Sequence, residues 1–249
     1  QICISGTNNG TVAKRIKFIG KGAHAGGAPH LGINALNAAS LALSAIHYNR
    51  ETFRDNDTIR VHPIITKGGE AVSAVPSEVT METFIRGKTM EAIMDANTKV
   101  DRALKAGALA VGAQVNIKTI PGYMPLSQDP NLMDILKENA TYLVGEENIG
   151  RRIHGTGSTD MGDVSQIMPI VHPYVGGATG IGHGATYVIE DYQLAVLTAA
   201  KTLASTAIDL LSNSARLGNE VLGKHRPNMT SAEYLSYMRN LNSDTTYDS

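Results

Sequence analysis

Cysteine is almost missing from this 249-residue chain: Cys3 stands alone, which excludes an intramolecular disulfide and any cysteine-built zinc cage and fits a reducing compartment. Net charge is missing too. Lys+Arg 22 against Asp+Glu 23 leaves a formal charge of -1, without the basic excess that marks a general nucleic-acid binder. No apolar stretch approaches the roughly 18 to 20 residues that cross a bilayer. The start, Gln1 to Gly10, has neither the basic lead nor the apolar segment of a secretory signal. These absences predict a cytoplasmic protein with neither nucleic acid nor membrane as partner. What is present, 42% hydrophobic and 18% charged residues with 25 glycines spread along the chain, is the composition of a globular protein able to bury a core.

Alternation at period two marks strands over Lys14–Lys21 (KRIKFIGK), Thr58–Lys67 (TIRVHPIITK), Val79–Lys88 (VTMETFIRGK) and Gln114–Ile120 (QVNIKTI). Helical spacing of apolar residues marks Leu31–Asn49, where Leu36, Ala39, Leu43 and Ile46 share one side, and Thr89–Gly112. The order β-α-β-β-α-β reads as a split-βαβ sandwich, one sheet with two helices on one face. From Asp129 on, the pattern becomes a helix over Asn131–Leu143, glycine-rich loops, a short apolar run IVHPYVGG and a long helix over Asp191–Leu211. These strands are too few for a self-sufficient α/β sheet, so this part is expected to need a partner segment. The tail after Ser212 is polar, with a short helix expected at RPNMTSAEYL and a frayed end at DTTYDS.

Three of the eight histidines lie in glycine-rich loops: His24, His30 and His183. His24, in KGAHAGGAPH directly after a strand, is either a projecting functional imidazole or a surface turn residue. His30, with Pro29, reads as capping and orienting the following helix. His183, in GIGHGATY ahead of the long helix, occupies a place where open α/β sheets collect ligands, but one imidazole is not a metal site and no HxD, HxH or HExxH is present. The loop GTGSTDMGD, Gly155 to Asp163, offers hydroxyls, backbone N–H groups and a helix start for an anion, with Asp160 as cap or orienter. It is neither a P-loop nor GxSxG, which leaves a Ser158 nucleophile without motif support. Arg86 is a solvated arginine or a fork for a carboxylate.

Taken in order, FIGKGAHAGGAPHLGINAL, VPSEVTMETFIRG, GSTDMGDVSQIMPIVHPYVGG and GHGATY resemble the C-terminal part of the dinuclear-zinc amidohydrolases and peptidases that include aminoacylases, glutamate carboxypeptidase and aminobenzoyl-glutamate hydrolases. The resemblance spans Lys14 to Leu211. It implies an α/β protein: a βαββαβ ferredoxin-like lid, or dimerisation, domain at 14–121, the C-terminal part of a zinc-peptidase catalytic domain at 122–211, the end of a catalytic segment or a linker at 1–13, and a helical tail at 212–249. By resemblance, His24 reaches into the partner's active site of a homodimer and stabilises the oxyanion. Arg86 meets the substrate carboxylate, Gly157, Ser158 and Thr159 line the substrate pocket, and His183 is a metal ligand. The cofactor implied is Zn2+, two per complete site, with Mn2+ or Co2+ as substitutes. The metal acidifies a water that attacks the amide carbon.

Two departures matter. The half carrying most metal ligands is expected to be missing from this chain, as a truncation, a nick or a separate subunit. Ser73 stands where many relatives have Asn, and Tyr123 and Met124 stand where glutamate-specific members have Arg, so the expected substrate is a general N-acyl amino acid, dipeptide or aminobenzoyl-type amide. The rival expectation is a non-catalytic dimerising or ligand-binding remnant.

Overall fold

A computed structural model of the chain describes residues 1–248. In chain order it runs β1 (Ile2–Cys3), β2 (Gly10–Ile19), α1 (Ala35–Tyr48), β3 (Arg60–Val61), β4 (Ile64–Lys67), β5 (Glu78–Gly87), α2 (Met90–Leu109) and β6 (Gln114–Pro121). It continues with α3 (Pro130–Val144), β7 (Ile149–Gly150), α4 (Met161–Ile167), β8 (Tyr174–Val175), β9 (Ala178–Thr179), β10 (Val188–Ile189), α5 (Ala199–Lys224), α6 (Ser231–Leu241) and β11 (Ser243–Tyr247). Two compact units result. A sheet unit comprises Asn9–Pro125, Thr156–Thr159 and the chain from Ser231 on; a helical unit comprises Gln1–Asn8, Leu126–Gly155 and Asp160–Thr230.

The sheet unit has the expected βαββαβ order, and its sheet reads β11-β6-β2-β5-β3 with β4 also on β5. The long central strand β2 pairs antiparallel with β5 from Gly10↔Gly87 to Ile19↔Glu78 and with β6 from Val12↔Pro121 to Ile19↔Gln114. Alternation sends Val79, Met81 and Ile85 of β5 into the core with Val12, Ile16 and Phe18 of β2, and leaves Glu82 and Phe84 on the open face. The run expected as one strand at Thr58–Lys67 is split between β3 and β4, where Pro63 has no N–H to give a ladder. On the covered face, α1 and α2 meet at a seam of small residues. A Cβ on Gly107 would stand 2.5 Å from the carbonyl oxygen of Ala38, so glycine is what permits this approach. Asn34, not His30, caps α1, its side chain accepting the N–H groups of Leu36 and Asn37.

One buried residue runs against the pattern. Lys14 shares the parity of Ile16 and Phe18 and points into the core, where its Nζ donates to Thr119 Oγ1 at 2.8 Å and pairs with Asp101 of α2 at 2.6 Å. The lysine side chain is 0% exposed while that of Asp101 is 28% exposed. Burial pushes the Lys14 ammonium below the usual lysine range, against the hydrogen bond and attraction of Asp101, which raise it.

The tail departs most from expectation. The segment read as frayed forms β11, which pairs antiparallel with β6 from Ser243↔Thr119 to Tyr247↔Val115 and closes that edge of the sheet. The reason is tertiary: a short polar strand has no local signal, and the open edge of β6 supplies its ladder.

The helical unit holds a small sheet in the order β7-β1-β8, with strands of two residues each, and the β9–β10 hairpin. Ile2, Ile4, Leu136 and Ala140 form its own small core. The expectation of no membrane-length apolar stretch needs correction: Gln193–Lys224 is long and apolar enough, by length and composition, to cross a membrane. Lys201 and Asp209 break the apolar run as read along the chain, and both lie in the helical stretch that precedes Ser212. That helix opens with a π-helical stretch, Gln193–Thr198, and its backbone breaks at Ser212–Ala215, where Asn213, Ser214 and Ala215 have φ of 52°, 58° and 56°. Thr202 and Thr206 are buried, yet Val196, Leu197, Leu203, Ile208 and Leu211 are exposed.

The Lys14 pair yields an asymmetric prediction. Asp101→Ala leaves a buried ammonium unpaired and costs about 3 kcal/mol or more, whereas Lys14→Met leaves a carboxylate that reaches water and costs about 1 kcal/mol or less. Urea unfolding at neutral pH measures both. Because the folded-state pKa of Lys14 is depressed, the unfolded chain binds more protons near pH 10, and the contribution of Lys14 to stability rises with pH there.

Candidate functional site

His24 sits on a loop stapled by a second one. After β2, Lys21 bridges to Ile33 and His24 to Ala74, while Ala25 N–H donates to the Ser73 carbonyl and Val75 N–H to that of Ala23. The ring is exposed, and its Nδ1 accepts the backbone N–H groups of Gly26 at 3.1 Å and Gly27 at 2.9 Å. Two donors converging on Nδ1 require its lone pair, so the neutral ring carries its proton on Nε2. His24 is thereby set as an outward hydrogen-bond donor, not as a base.

Arg86, near the end of β5, lies on the open face of the sheet. Its guanidinium stands 5.4 Å from the centroid of the Phe84 ring, and its Nε is buried with no hydrogen-bond partner. Gly157 is exposed with open space where a side chain would be, and Thr159 is partly buried. Ser158 Oγ is buried and unpartnered. No base within this chain touches that hydroxyl. The helix after this loop, α4, has seven residues, and Asp160 makes no side-chain capping bond to it, so the anion cradle read from the loop is not built around a capped helix.

His183 is at the exposed end of the β9–β10 hairpin, with φ of 65°. That left-handed conformation is uncommon for a residue with a Cβ. Among the described residues no three His, Cys, Asp or Glu side chains come together to hold a metal. His24, Arg86 and the Gly157–Thr159 segment belong to the sheet unit and His183 to the helical unit.

Sequence reasoning missed a buried pair in the helical unit. Asp129 caps α3 by accepting Leu132 N–H at 3.0 Å, and its other oxygen meets His225 Nδ1 at 2.8 Å. Burial raises the Asp129 carboxyl, but the bonds from Leu132, His225 and Asn131 prevail and hold it below its ordinary value of 3.8. His225 lies 96 residues away in sequence, and no spacing rule links the two. Close by, Asn228 Nδ2 donates to Gln166 Oε1 at 3.1 Å and Met229 N–H to the Gln166 carbonyl at 3.0 Å. Arg152 stacks over Tyr174, 3.7 Å from the ring centroid, and Asn8 donates to the Tyr174 hydroxyl.

Asp129→Ala is expected to cost about 1 to 2 kcal/mol at pH 7 through the lost cap. Since a depressed folded-state pKa stabilises above 3.8 and the effect is lost as pH falls through the folded value, the gap between variant and parent should close in acid. Thermal unfolding of both proteins from pH 7 to pH 3 measures it.

Residues 7–111 match the family described as peptidase dimerisation domain. Among curated proteins, the chain is 33% identical over 211 residues to "Xaa-Arg dipeptidase" of Mus musculus, an alignment covering 81% of this chain and 48% of that protein. It is 25% identical over 201 residues to "Indole-3-acetyl-aspartic acid hydrolase" of Enterobacter agglomerans, covering 77% and 45%. Its fold is like that of Bacillus subtilis YXEP, described as a dinuclear metal binding peptidase from the M20 family, with TM-score 0.60, 19% identity, and 84% of this chain and 53% of that one covered. The chain spans about half the length of the curated relatives it matches.

Proposed function

We propose that this chain, whose residues 7–111 match a peptidase dimerisation domain, is the C-terminal half of a metal-dependent amidohydrolase that cleaves the amide bond of an N-acyl amino acid, dipeptide or aminobenzoyl-amino-acid-type substrate. The observation that carries the reading is the His24 ring, held by Gly26 and Gly27 with its Nε2–H free to donate. A neutral imidazole in that state is suited to a carbonyl oxygen becoming negative as the amide is attacked, because the donor is oriented before charge develops. Arg86 binds the carboxylate of the amino-acid side of the substrate, its guanidinium matching a carboxylate with paired N–H donors. The Gly157–Thr159 segment lines the pocket: Gly157 leaves room for substrate against the backbone, and Ser158 offers an unengaged hydroxyl.

The metal pair, zinc with manganese or cobalt as substitutes, supplies the activated water when bound. It requires ligands beyond this chain, to which His183 contributes one. The remaining half of the catalytic domain is the partner we assign to the exposed apolar face of α5, at Leu203, Ile208 and Leu211. The dimerisation domain supports a homodimer, and the location assigned is the cytoplasm.

The test uses the protein completed with its other half and zinc. His24→Ala should lower kcat about 100- to 1,000-fold with KM little changed, as for loss of one oxyanion donor. His183→Ala should lower the zinc bound per complex, read by elemental analysis. Unchanged kcat in the first variant and unchanged zinc in the second would overturn these roles. A completed complex that dimerises but takes up no zinc would favour the ligand-binding remnant instead.

A further inference from the structure

Arg60 and Arg86 stand directly opposite each other across the β3–β5 ladder. Opposed residues of an antiparallel pair project to the same face, with Cβ atoms about 4.5 to 5.5 Å apart. The next opposed pair, Val61 and Ile85, is buried against the helices, which puts both arginines on the open face. Like charges in this register repel and destabilise a sheet, and an acid nearby is the usual relief. Here the acids of that face are committed elsewhere: Glu82 to Arg15, and Glu78 to Lys17 and Lys67.

Among the described residues neither arginine has an acidic partner. One amino group of Arg60 donates only to the carbonyl of its chain neighbour Ile59, at 2.9 Å. Arg86 keeps a buried Nε with no acceptor at all. Thr11, opposite Arg86 on the other side, is buried and turns its hydroxyl to the Val12 carbonyl. Arg60 also lines a cleft of about 430 Å³ shared with Arg50, Arg54 and His62, where Asp55 is the only acid. This concentration of unpaired positive charge is notable in a chain of net charge -1.

We propose that Arg60 and Arg86 form a two-arginine clamp for the substrate carboxylate, with Arg60 a specificity-determining residue of the same site. The inference rests on the reading of Arg86 as the carboxylate-binding residue. A carboxylate between two guanidiniums accepts paired N–H donors from both and cancels the repulsion that the empty register carries. The pair explains why the sheet tolerates two arginines where one arginine and one acid would be more stable.

The experiment uses the chain completed with its other half and kept free of metal, so that the amide is bound and not cleaved. N-acetylglycine, which has an amide and a carboxylate, is titrated against it at constant ionic strength, with neutral N-acetylglycinamide as control. The arginine Nε–H resonances and the thermal midpoint are followed. Expected are shifts at both Arg60 and Arg86 with the acid only, and binding about tenfold weaker in Arg60→Gln, as for loss of a hydrogen-bonded charge partner. Without ligand, Arg60→Gln should have a higher Tm than the parent because the repulsion is gone; a merely structural arginine would give a lower one. If Arg86→Gln weakens binding and Arg60→Gln does not, the clamp is overturned while the reading of Arg86 survives. If neither variant changes binding, or the acid shifts no arginine resonance, both fail together.

Discussion

The sheet unit depends on β2. It is hydrogen-bonded on both edges, to β5 and β6, along most of its length, and its inward side chains join those of both helices and both neighbouring strands in one hydrophobic cluster. A central strand in that position sets the place of the elements attached to it. The loop carrying His24 leaves from its end, and β5, carrying Arg86, is aligned along its flank. Even the buried Lys14–Asp101 pair ties this strand to α2. A charged pair in a core is weak evidence for stability, since desolvation offsets attraction; its effect here is directional, because only one register of α2 on the sheet brings Asp101 to Lys14.

The helical unit is held by a different kind of constraint. Its strands are two residues long, its buried apolar cluster is small, and the long helix α5 leaves a row of large apolar side chains exposed. Burial of apolar surface is the main force that stabilises a fold, and this unit leaves an unusual share of it unused. Polar latches partly make up the difference: the Asp129–His225 pair and the Gln166–Asn228 contact fasten the end of α5 and the segment after it. The chain then passes at Ser231 into the sheet unit, where β11 finishes the β6 edge. The C-terminal part of the chain thus serves each unit in turn.

The chemistry proposed for the site rests on the backbone, not on clusters of titratable groups. Two glycine N–H groups decide which nitrogen of His24 carries its proton. A strand register decides that Arg86 faces a second arginine. In neither case does the side chain's own type settle its role; the donor set around it does. The same reasoning leaves His183 as a single imidazole on an exposed turn, a ligand only in company that other residues must supply.

The order β-α-β-β-α-β, its two helices and the family were legible in the sequence, because period-two and helical spacing are local signals and because four ordered motifs together are specific. Candidate positions such as His24 and Arg86 were legible for the same reason: loop glycines and strand ends are visible one residue at a time. The rest was decided by tertiary structure. Lys14 reads as a solvated charge until a helix brings Asp101 to it, β11 reads as a frayed end until β6 offers an open edge, and His225 reads as a lone histidine until Asp129 meets it. Arg60 reads as a surface residue until the β3–β5 register sets it against Arg86. Each depends on contacts between residues far apart in the chain, and no spacing along a sequence records which distant groups folding will bring within hydrogen-bond reach.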